Sequence, residues 1–412
     1  MNDLHGEADG QRPAPPPGTV GLQRLIEEYR HPHRLYDELR ERDRISFDPA
    51  GRCWVVTGYA AVRKILADRR FVSNAALTLP QARRTVRPSF VSDAIQKQII
   101  FVDGPKQARV QRAILGELAR RSEVLAAPLQ AEALALAESA RVLREFDLVR
   151  DFAVPFSLRA ILMILGVAAE DPDRLERWSS AYADMTSGYL RAKVEDVVQL
   201  GDFFRAQVQA RRGKPSDDLI GAFLREGGLD GEEDVIIQCM MAFAAGRVTT
   251  QKLLGDGIPL LIPGWSAWRE LVQAKPSAVR RLTDEMLRLV TPTRYVVRYA
   301  TEDVDLADDP RDGTRVRRGE KLVLILQAAN RDGEVFSAPH ALEPGRQPNP
   351  HLTFGFGPHR CPGASIARIE IQTALQALLD TLGELRPHPS LPPAWDPNPN
   401  LGGYASYRCL CA

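Results

Sequence analysis

The stretch Phe354-Gly-Phe-Gly-Pro-His-Arg-Cys-Pro-Gly363 is the most informative part of this sequence. Its glycines allow the backbone to turn tightly and to approach a flat ligand closely. Cys361 stands just before a helix that the sequence predicts to begin near Ala364. Backbone N–H groups and the dipole at the start of a helix favour a thiolate over a thiol. This stretch, called the cysteine loop below, therefore indicates a reactive or ligating sulfur atom.

A cysteine in a glycine-rich turn is, taken alone, more often a packing residue than a ligand. No second cysteine or histidine stands nearby at the spacing of a chelating metal site. A lone thiolate instead suits a single axial bond to haem iron, where electron donation from sulfur favours cleavage of an O–O bond. The whole pattern of the cysteine loop, rather than Cys361 alone, favours the haem ligand.

At every fixed position the cysteine loop matches the pattern Phe-Gly-x-Gly-x-His-x-Cys-x-Gly, and the sequence therefore resembles a bacterial cytochrome P450. The resemblance extends over about residues 25–412. It implies the cytochrome P450 fold, mainly α-helical with a small β region, in a single large haem domain. It also implies haem b as cofactor, with Cys361 as the axial ligand of the iron. Phe354 and Gly355 then belong to the segment that binds the haem.

The resemblance also implies which side chains hold the haem propionates. Arg298, in a predicted strand, corresponds to the propionate-binding arginine of the family, and His359 corresponds to a second donor. Arginine suits a buried carboxylate because it stays charged and offers paired donors. A helix on the other face usually carries His-x-x-x-Arg, where this chain has Gln107 and Gln111. We expect Gln107 to donate and Arg112 to replace the missing arginine, and a solvated basic helix face is the alternative.

A second family motif is a Glu-x-x-Arg pair that braces the region of the cysteine loop. Glu285 and Arg288 are spaced to share one face of a helix, about 75 residues before the loop. An isolated pair of this kind is usually a solvated surface contact. In the family a further arginine completes the brace, but Ala341 occupies the matching position here. Arg346, five residues later, is the expected substitute.

The mostly apolar stretch Asp234–Leu261 contains Ala245-Gly-Arg-Val-Thr-Thr250. This resembles the Ala-Gly-x-(Asp or Glu)-Thr motif of the family helix that passes over the haem. The resemblance implies catalytic roles for Gly246, which lets dioxygen approach the helix, and for Thr249, whose hydroxyl contacts the oxygen. Proton delivery at that point is general acid catalysis. Without the resemblance, small residues in an apolar helix would indicate close packing between helices.

This helix departs from the family pattern, because Val248 replaces the acid. Valine offers no proton, so the proton relay must be slower, must run through water or substrate, or must be unnecessary. Arg247 either organises water or a substrate carboxylate, or faces away. Gly255 and Pro259 predict a kink or an early end of the helix.

Composition narrows the class of protein. The 412 residues are 44% hydrophobic and 26% charged, which suffices for a large buried core. A net charge of +1 excludes the basic field typical of nucleic-acid binding. No apolar run reaches the roughly 18 residues of a membrane span, and no secretory signal is evident. The five scattered cysteines predict no disulfide framework. We therefore expect a soluble cytoplasmic protein that binds neither nucleic acid nor a membrane.

The N-terminal part of the chain contains a tail, a hairpin and a loop. Residues 1–20 are rich in proline and poor in apolar side chains, so we expect a disordered tail before a haem domain over 21–412. Apolar segments at 45–47 and 53–57 flank a turn and predict a β-hairpin. The irregular stretch 73–102 predicts a long loop with short helices, of the kind that binds ligands.

The rest of the chain predicts helices followed by strands. Residues 105–290 are mainly helical, with breaks near proline and glycine at Pro155, 171–172, 213–215, 227–228 and 275–276. Segments 294–298 and 321–326 have the composition of strands, and a final helix begins near Ala364. We find no internal repeat and no domain linker.

The resemblance implies a monooxygenase that inserts one oxygen atom from dioxygen into a small organic substrate, in secondary-metabolite biosynthesis. One haem domain uses the whole chain, so electrons must come from separate proteins. In bacterial relatives these are a ferredoxin and its NAD(P)H-dependent ferredoxin reductase. Arg360, Arg109 and Arg112, expected near the thiolate, could meet an acidic partner.

Two other functions stay open at this point. Because of Val248, the haem could instead serve oxidative cyclisation, coupling or nitrene-type transfer, which depend less on the proton relay. A haem-bearing protein that only recruits enzymes to a carrier-bound intermediate should lack Thr249 or Cys361, and this chain has both. Substrate contacts are expected from three further segments, 73–102, 170–195 and 293–297.

Overall fold

The computed structural model of the protein describes residues 22–74, 89–168, 170–189, 192–214, 216–225, 229–306 and 314–411. The predicted tail, residues 1–20, lies outside them, as does the middle of the predicted loop 73–102. The described part of that loop contains one short helix and a 3-10 turn at Ile99–Phe101.

Helices make up most of the described chain, because apolar side chains recur at every third or fourth position and bury one face or more. They are α1 (Leu22–Glu27), α2 (His33–Arg42), α3 (Tyr59–Ala67), α4 (Phe90–Gln96), α5 (Pro105–Leu143), α6 (Val154–Leu165), α7 (Pro172–Thr186), α8 (Val194–Arg211), α9 (Leu219–Arg225), α10 (Glu232–Leu261), α11 (Trp265–Ala274), α12 (Ala278–Val290), α13 (Leu326–Ala329) and α14 (Ala364–Thr381). The prediction of a mainly α-helical fold is confirmed.

The strands are short, and the longest of them lie in one sheet. They are β1 (Ile45–Asp48), β2 (Cys53–Val56), β3 (Phe71–Val72), β4 (Glu145–Asp147), β5 (Tyr295–Ala300), β6 (Val304–Asp305), β7 (Arg315–Val316), β8 (Lys321–Ile325), β9 (Leu385–Pro387), β10 (Ala394–Trp395), β11 (Tyr404–Ser406) and β12 (Arg408–Cys411). The predicted hairpin is confirmed as β1 and β2, which pair antiparallel.

The main sheet has the strand order β1-β2-β8-β5-β3, with β2 and β8 parallel and the other pairs antiparallel. Alternate side chains of a strand point to opposite faces. Trp54 and Val56 therefore pack with α3, whereas Cys53 and Val55 pack with α2. The sheet lies between these two helices, and its strand β5 carries Arg298.

Two long helices organise the rest of the core. Most side chains of α10 are buried on every side of the helix, and it contacts α6, α7, α8 and α12. A helix that is apolar all round belongs in the interior. Helix α14 begins at Ala364, as predicted, and packs along α5. The cysteine loop therefore lies next to the N-terminal part of α5.

The structure refines two details of the predicted helical region. Helix α5 ends at Leu143, and β4 and a π-helical turn over Leu148–Ala153 follow, so the break precedes Pro155. Pro155 lies in the first turn of α6, where its missing N–H has no partner to lose. Helix α10 continues through Pro259 to Leu261 rather than ending early. Its buried glycines there allow close packing, Gly257 against the side chain of Met286, which supports the helix.

Among the described residues, no helix combines the length and the apolar character that a membrane span requires.

Candidate active site

The cysteine loop is a tight turn that docks on α3. Cys361 N donates to Phe354 O at 2.8 Å, which closes the loop, and Gly355 and Gly357 have φ of +68° and +72°. Residues that carry a side chain rarely adopt such positive φ angles. A Cβ on Gly357 would also lie 2.4 Å from the backbone oxygen of Leu66. Glycine is therefore required where the loop meets α3.

Cys361 is a partly buried residue whose thiol lies deep in the protein. Burial raises the pKa of its thiol, while the N–H of Gly363 and the charges of Arg360 and Arg368 act in the opposite direction. A thiolate at this position therefore needs a further positive charge close to it. The four other cysteines are buried, and all five are free thiols.

The predicted brace is present on α12 and is completed by the predicted substitute. Arg288 donates from Nε and Nη2 to the two oxygens of Glu285, both at 2.8 Å, with both side chains fully buried. Arg346 Nε donates to Glu285 Oε1 at 3.1 Å. Arg288 Nη2 also donates to Ala341 O at 2.8 Å, so the backbone of Ala341 joins the network although its side chain cannot.

One face of α10 is accessible although the helix is otherwise buried. Ala242, Ala245 and Thr249 follow each other at spacings of three and four residues, so they share this face, and all three retain accessible surface. Thr249 Oγ1 donates to Ala245 O at 2.6 Å. Exposed side chains in the middle of a core helix indicate an internal space large enough for solvent or a ligand. We call these three residues the α10 stripe.

The other three residues of the predicted oxygen motif have packing roles. A Cβ on Gly246 would lie 2.6 Å from Ile161 Cδ1, so glycine lets α10 and α6 approach closely. Val248 is buried in the main core, and no acid is present at its position. Arg247 faces away from the stripe, toward α7, where its Nε and Nη2 donate to Ser179 Oγ and Ser180 Oγ. It therefore does not contact a ligand at the stripe.

Arg298 and His359 are brought together around a carboxylate that the sequence did not single out. His359 Nε2 lies 2.8 Å from Asp103 Oδ1 and 3.3 Å from Ser73 Oγ. Burial alone would raise the pKa of Asp103, but the contact with His359 brings it below its ordinary value. Arg298 is buried, and among the described residues it donates only to Val297 O; burial lowers its pKa to about 10. Its guanidinium thus has unused donors that suit a carboxylate.

The predicted donors on α5 are arranged differently. Gln107 Nε2 donates to Pro358 O at 2.8 Å and to Gln111 Oε1 at 3.0 Å, so both of its N–H groups have protein acceptors. Gln111 Nε2 in turn donates to Arg360 O at 2.8 Å. Both glutamines therefore hold the backbone of the cysteine loop. Arg112 is exposed, and its contact with a haem propionate stays a prediction.

Asp103 and Glu370 are site residues that the sequence analysis did not identify. Glu370, on α14, is fully buried and accepts a 2.8 Å hydrogen bond from Thr250 Oγ1, one residue beyond the α10 stripe. Its position could have been found from sequence, because it shares the spacing of the buried Ile366 and Ala374. Asp103 offers no such signal, since its partner His359 is distant in the chain.

The residues present fit a haem. Cys361 would hold the iron as the sole thiolate, and within the described residues no cluster of three or more His, Cys, Asp or Glu side chains could chelate a metal. Arg298 has donors for a propionate in a buried position, and His359 lies beside it near Asp103. Cys361 and the α10 stripe are both only partly buried, which leaves them open to a ligand. The buried thiol also lacks the positive charge that iron would supply.

A separate polar cleft of about 470 Å³ opens beside the brace. Its lining includes neither Cys361 nor the α10 stripe and consists of Ser277, Arg280, Arg281, Asp284, Glu285, Pro344, Arg346, Gln347 and Asn349. The cleft is therefore distinct from the space beside the sulfur.

Comparison with known proteins places these features in one family of sequences. The model of the family Cytochrome P450 matches residues 279–390, which include α12, β5 and the cysteine loop. Mycinamicin IV hydroxylase/epoxidase from Micromonospora griseorubida is 33% identical to this chain over 366 residues, which cover 85% of this chain and 88% of that protein.

Similarity also extends to whole structures. The Biotin biosynthesis cytochrome P450 from Bacillus subtilis (strain 168) is 29% identical over 383 residues, covering 89% of this chain and 93% of that protein. A solved structure of P450BioI in complex with an acyl carrier protein ligated to hexadec-9Z-enoic acid is similar over 94% of this chain and 100% of that chain. The TM-score is 0.84 and the sequence identity 26%.

Proposed function

Because this chain belongs to the cytochrome P450 family, we propose that it inserts one oxygen atom from dioxygen into a small organic substrate of secondary metabolism. Members of the family are oxidoreductases that bind haem b through a cysteine thiolate. The observation that carries the proposal is a pair of accessible groups in the interior. One is the partly buried residue Cys361 before α14, and the other is Thr249 on α10, whose hydroxyl donates to Ala245 O.

We assign the haem contacts by the chemistry of the side chains. Cys361 is the axial ligand, because its burial makes a thiolate dependent on a nearby cation. Arg298 is the main propionate partner, since its guanidinium is buried without a hydrogen bond to a carboxylate among the described residues. His359 is the second partner and shares its Nε2 with Asp103. Gln107 does not contact the haem in this assignment but holds the backbone of Pro358 in the cysteine loop.

The bound haem would supply the activation of dioxygen, which no side chain of this site can perform. Thr249 would hold a proton at Oγ1, where the hydroxyl donates to Ala245 O and still accepts from water. Rotation away from Ala245 O would turn the same proton toward the accessible side of α10. Val248 cannot replenish it, so the proton must arrive through water or the substrate.

A second reaction type is supported by the buried Val248. Oxidative cyclisation, coupling or nitrene-type transfer requires less proton delivery than oxygen insertion does, which agrees with the absence of an acid at Val248. The same haem ligand and the same α10 stripe would serve it. The two reactions differ in whether an atom of dioxygen enters the product.

We further propose two protein partners that supply the electrons. Electrons would come from a separate ferredoxin and its NAD(P)H-dependent ferredoxin reductase. Arg360 of the cysteine loop and Arg112 of α5 are exposed, and their charges suit an acidic protein. The substrate is either a free metabolite or one attached to a carrier, as in the complex of P450BioI with acyl carrier protein.

The proposed reaction is tested with isotopically heavy dioxygen. Metabolites of the host with and without this gene are compared under ordinary and heavy dioxygen. A gene-dependent product that carries one labelled oxygen would support oxygen insertion and identify the substrate. A gene-dependent product that is cyclised or coupled and carries no label would favour the second reaction. Purified enzyme with ferredoxin and reductase is then given the free substrate and its carrier-bound form.

Two variants connect the reaction to the assigned residues. Cys361→Ser keeps the size of the side chain but removes the sulfur, so the carbon monoxide complex should lose the absorption band of thiolate ligation. Thr249→Val removes the hydroxyl at nearly constant volume and should lower labelled product on the order of 100-fold, whereas Thr249→Ser should retain most of it. Full activity in Thr249→Val would rule out the proton role.

A further inference from the structure

One side chain of α14 holds both ends of the cysteine loop. Arg368 lies one turn into the helix, and its Nη1 donates to Ala364 O at 3.3 Å, where the loop ends. Its guanidinium carbon lies 4.6 Å from the centre of the Phe354 ring, where the loop begins. Phe354 is directly linked to the sulfur-bearing residue, because Cys361 N donates to Phe354 O. Arg368 therefore contacts the ring of Phe354, and the backbone of Phe354 in turn accepts the hydrogen bond that holds Cys361.

Arg368 is fixed in turn by two side chains outside the loop. Its Nε donates to Asp284 Oδ1 on α12 at 3.0 Å, and its Nη2 lies 3.4 Å from His351 Nε2. His351 is almost completely buried, and burial lowers its pKa, so the neutral ring can accept from the guanidinium. The ring of His351 also lies 5.9 Å from that of Phe354. Arg368 is therefore held on the side away from the loop as well.

This cluster is separate from the brace, although the two are adjacent on α12. Glu285 is used by Arg288 and Arg346, whereas Asp284 is used by Arg368. The brace joins α12 to the segment around Ala341. The Asp284 cluster instead joins α12 to the cysteine loop.

We propose that Arg368, held by Asp284 and His351, is a positioning residue that keeps the sulfur of Cys361 in place for thiolate ligation. This inference rests on the proposed function, in which Cys361 binds the haem iron. The planar guanidinium makes its contacts in three directions at once, which the single ammonium of a lysine cannot do. Residues that orient a metal ligand from outside the coordination sphere commonly control how well it binds.

The test uses the haem-loaded full chain in its reduced carbon monoxide complex, well below the unfolding temperature. The measured quantity is the ratio of the absorption band of thiolate ligation to that of a neutral thiol or lost sulfur ligand. We expect this ratio to fall on the order of tenfold in Arg368→Met and in Arg368→Lys. Asp284→Asn should also lower this ratio. If the Arg368 variants do not fold, the result for Asp284→Asn decides whether the cluster positions Cys361.

Two control variants separate positioning from stability and from charge. Leu378→Ala removes a buried side chain of the same helix, farther from the loop, and Arg281→Met removes an exposed positive charge on α12. Both should keep the ratio of the unmodified protein. A normal ratio in Arg368→Lys would show that charge alone matters, and an equal fall in Leu378→Ala would reduce the effect to stability. Either result overturns the inference. Loss of the thiolate band in the unmodified protein would instead overturn the proposed function.

Discussion

Thr250 Oγ1 donates a 2.8 Å hydrogen bond to Glu370 Oε2 and so joins α10 to α14 in the interior of the protein. Burial raises the pKa of Glu370 to about 7, although the hydrogen bond from Thr250 acts in the opposite direction. The carboxyl is therefore neutral under conditions in which an exposed glutamate is ionised. Two helices that carry parts of the candidate site are thus connected by a group that titrates near neutrality.

Glu370 should make the stability of the protein depend on pH. The folded state holds the proton more tightly than the unfolded chain, so this stabilisation is complete below the unfolded pKa and is lost as pH rises through about 7. We expect the Glu370 contribution to the free energy of unfolding to fall by roughly 2 to 3 kcal/mol between about pH 5 and about pH 8. Glu370→Gln, which stays neutral, should lack this contribution. Urea unfolding of both proteins measures it, and identical pH profiles would contradict it.

Arg247 should respond differently to replacement by lysine and by methionine. The guanidinium is completely buried, and it donates to Ser179, Ser180 and Gln251 rather than to a carboxylate. Arg247→Lys keeps the buried charge but loses the planar set of donors, whereas Arg247→Met removes the charge. We expect the lysine variant to lose about 3 kcal/mol of unfolding free energy and the methionine variant less. A lysine variant as stable as the methionine variant would refute this account.

Gly357→Ala should disturb the docking of the cysteine loop on α3. The substitution combines a positive φ with a Cβ only 2.4 Å from Leu66 O, and the strain should cost about 2 kcal/mol or more. The measurement is haem content after purification, together with thermal unfolding. Gly345→Ala is the matched control, because the space around Gly345 is empty. Equal haem content in the two variants would show that the loop adapts.

Gly246→Ala should be rescued by a second substitution. The new methyl would meet Ile161 Cδ1 at 2.6 Å, and overpacking of this kind costs about 1 to 3 kcal/mol. Ile161→Val removes that carbon atom at a cost of about 1 kcal/mol by itself. The double variant should therefore be more stable than the sum of the two single effects. Strict additivity in urea unfolding would mean that α10 and α6 simply separate.

The parts of this protein that sequence could predict are those with local signals. The start of α14 at Ala364 follows from the glycines and proline before it, and the hairpin follows from two apolar segments around a turn. The fold class was predictable because helical spacing dominates the chain. Arg346 was predictable as the third member of the brace because the resemblance implies an arginine near Ala341, and Arg346 stands five residues later.

Features that depend on distant contacts escaped prediction. Asp103 contacts His359 only because α5 lies beside the cysteine loop, and no residue spacing in the sequence predicts that contact. The contacts of Gln107 and Gln111 on α5 were missed for the same reason, because both side chains donate to carbonyl oxygens of the distant cysteine loop rather than to a ligand. Pro259 was expected to kink α10 or to end it early, and the helix does not end there, because packing on all its sides outweighs the local preference. The roles of Cys361 and Thr249 remain predictions that the variants above address, and the role of Arg298 remains a prediction.

The parallel pairing of β2 with β8 has a consequence for how the chain is made. Cys53 pairs with Lys321, about 270 residues later, so the ribosome releases β2 long before its neighbour exists. At about 5 to 20 residues per second, the delay amounts to roughly 10 to 50 seconds. Until then one edge of the apolar hairpin stays unpaired and is open to chaperones or to aggregation. Arg298 and the cysteine loop are also synthesised after β2, so the chain can acquire its cofactor only after Gly363 has been made.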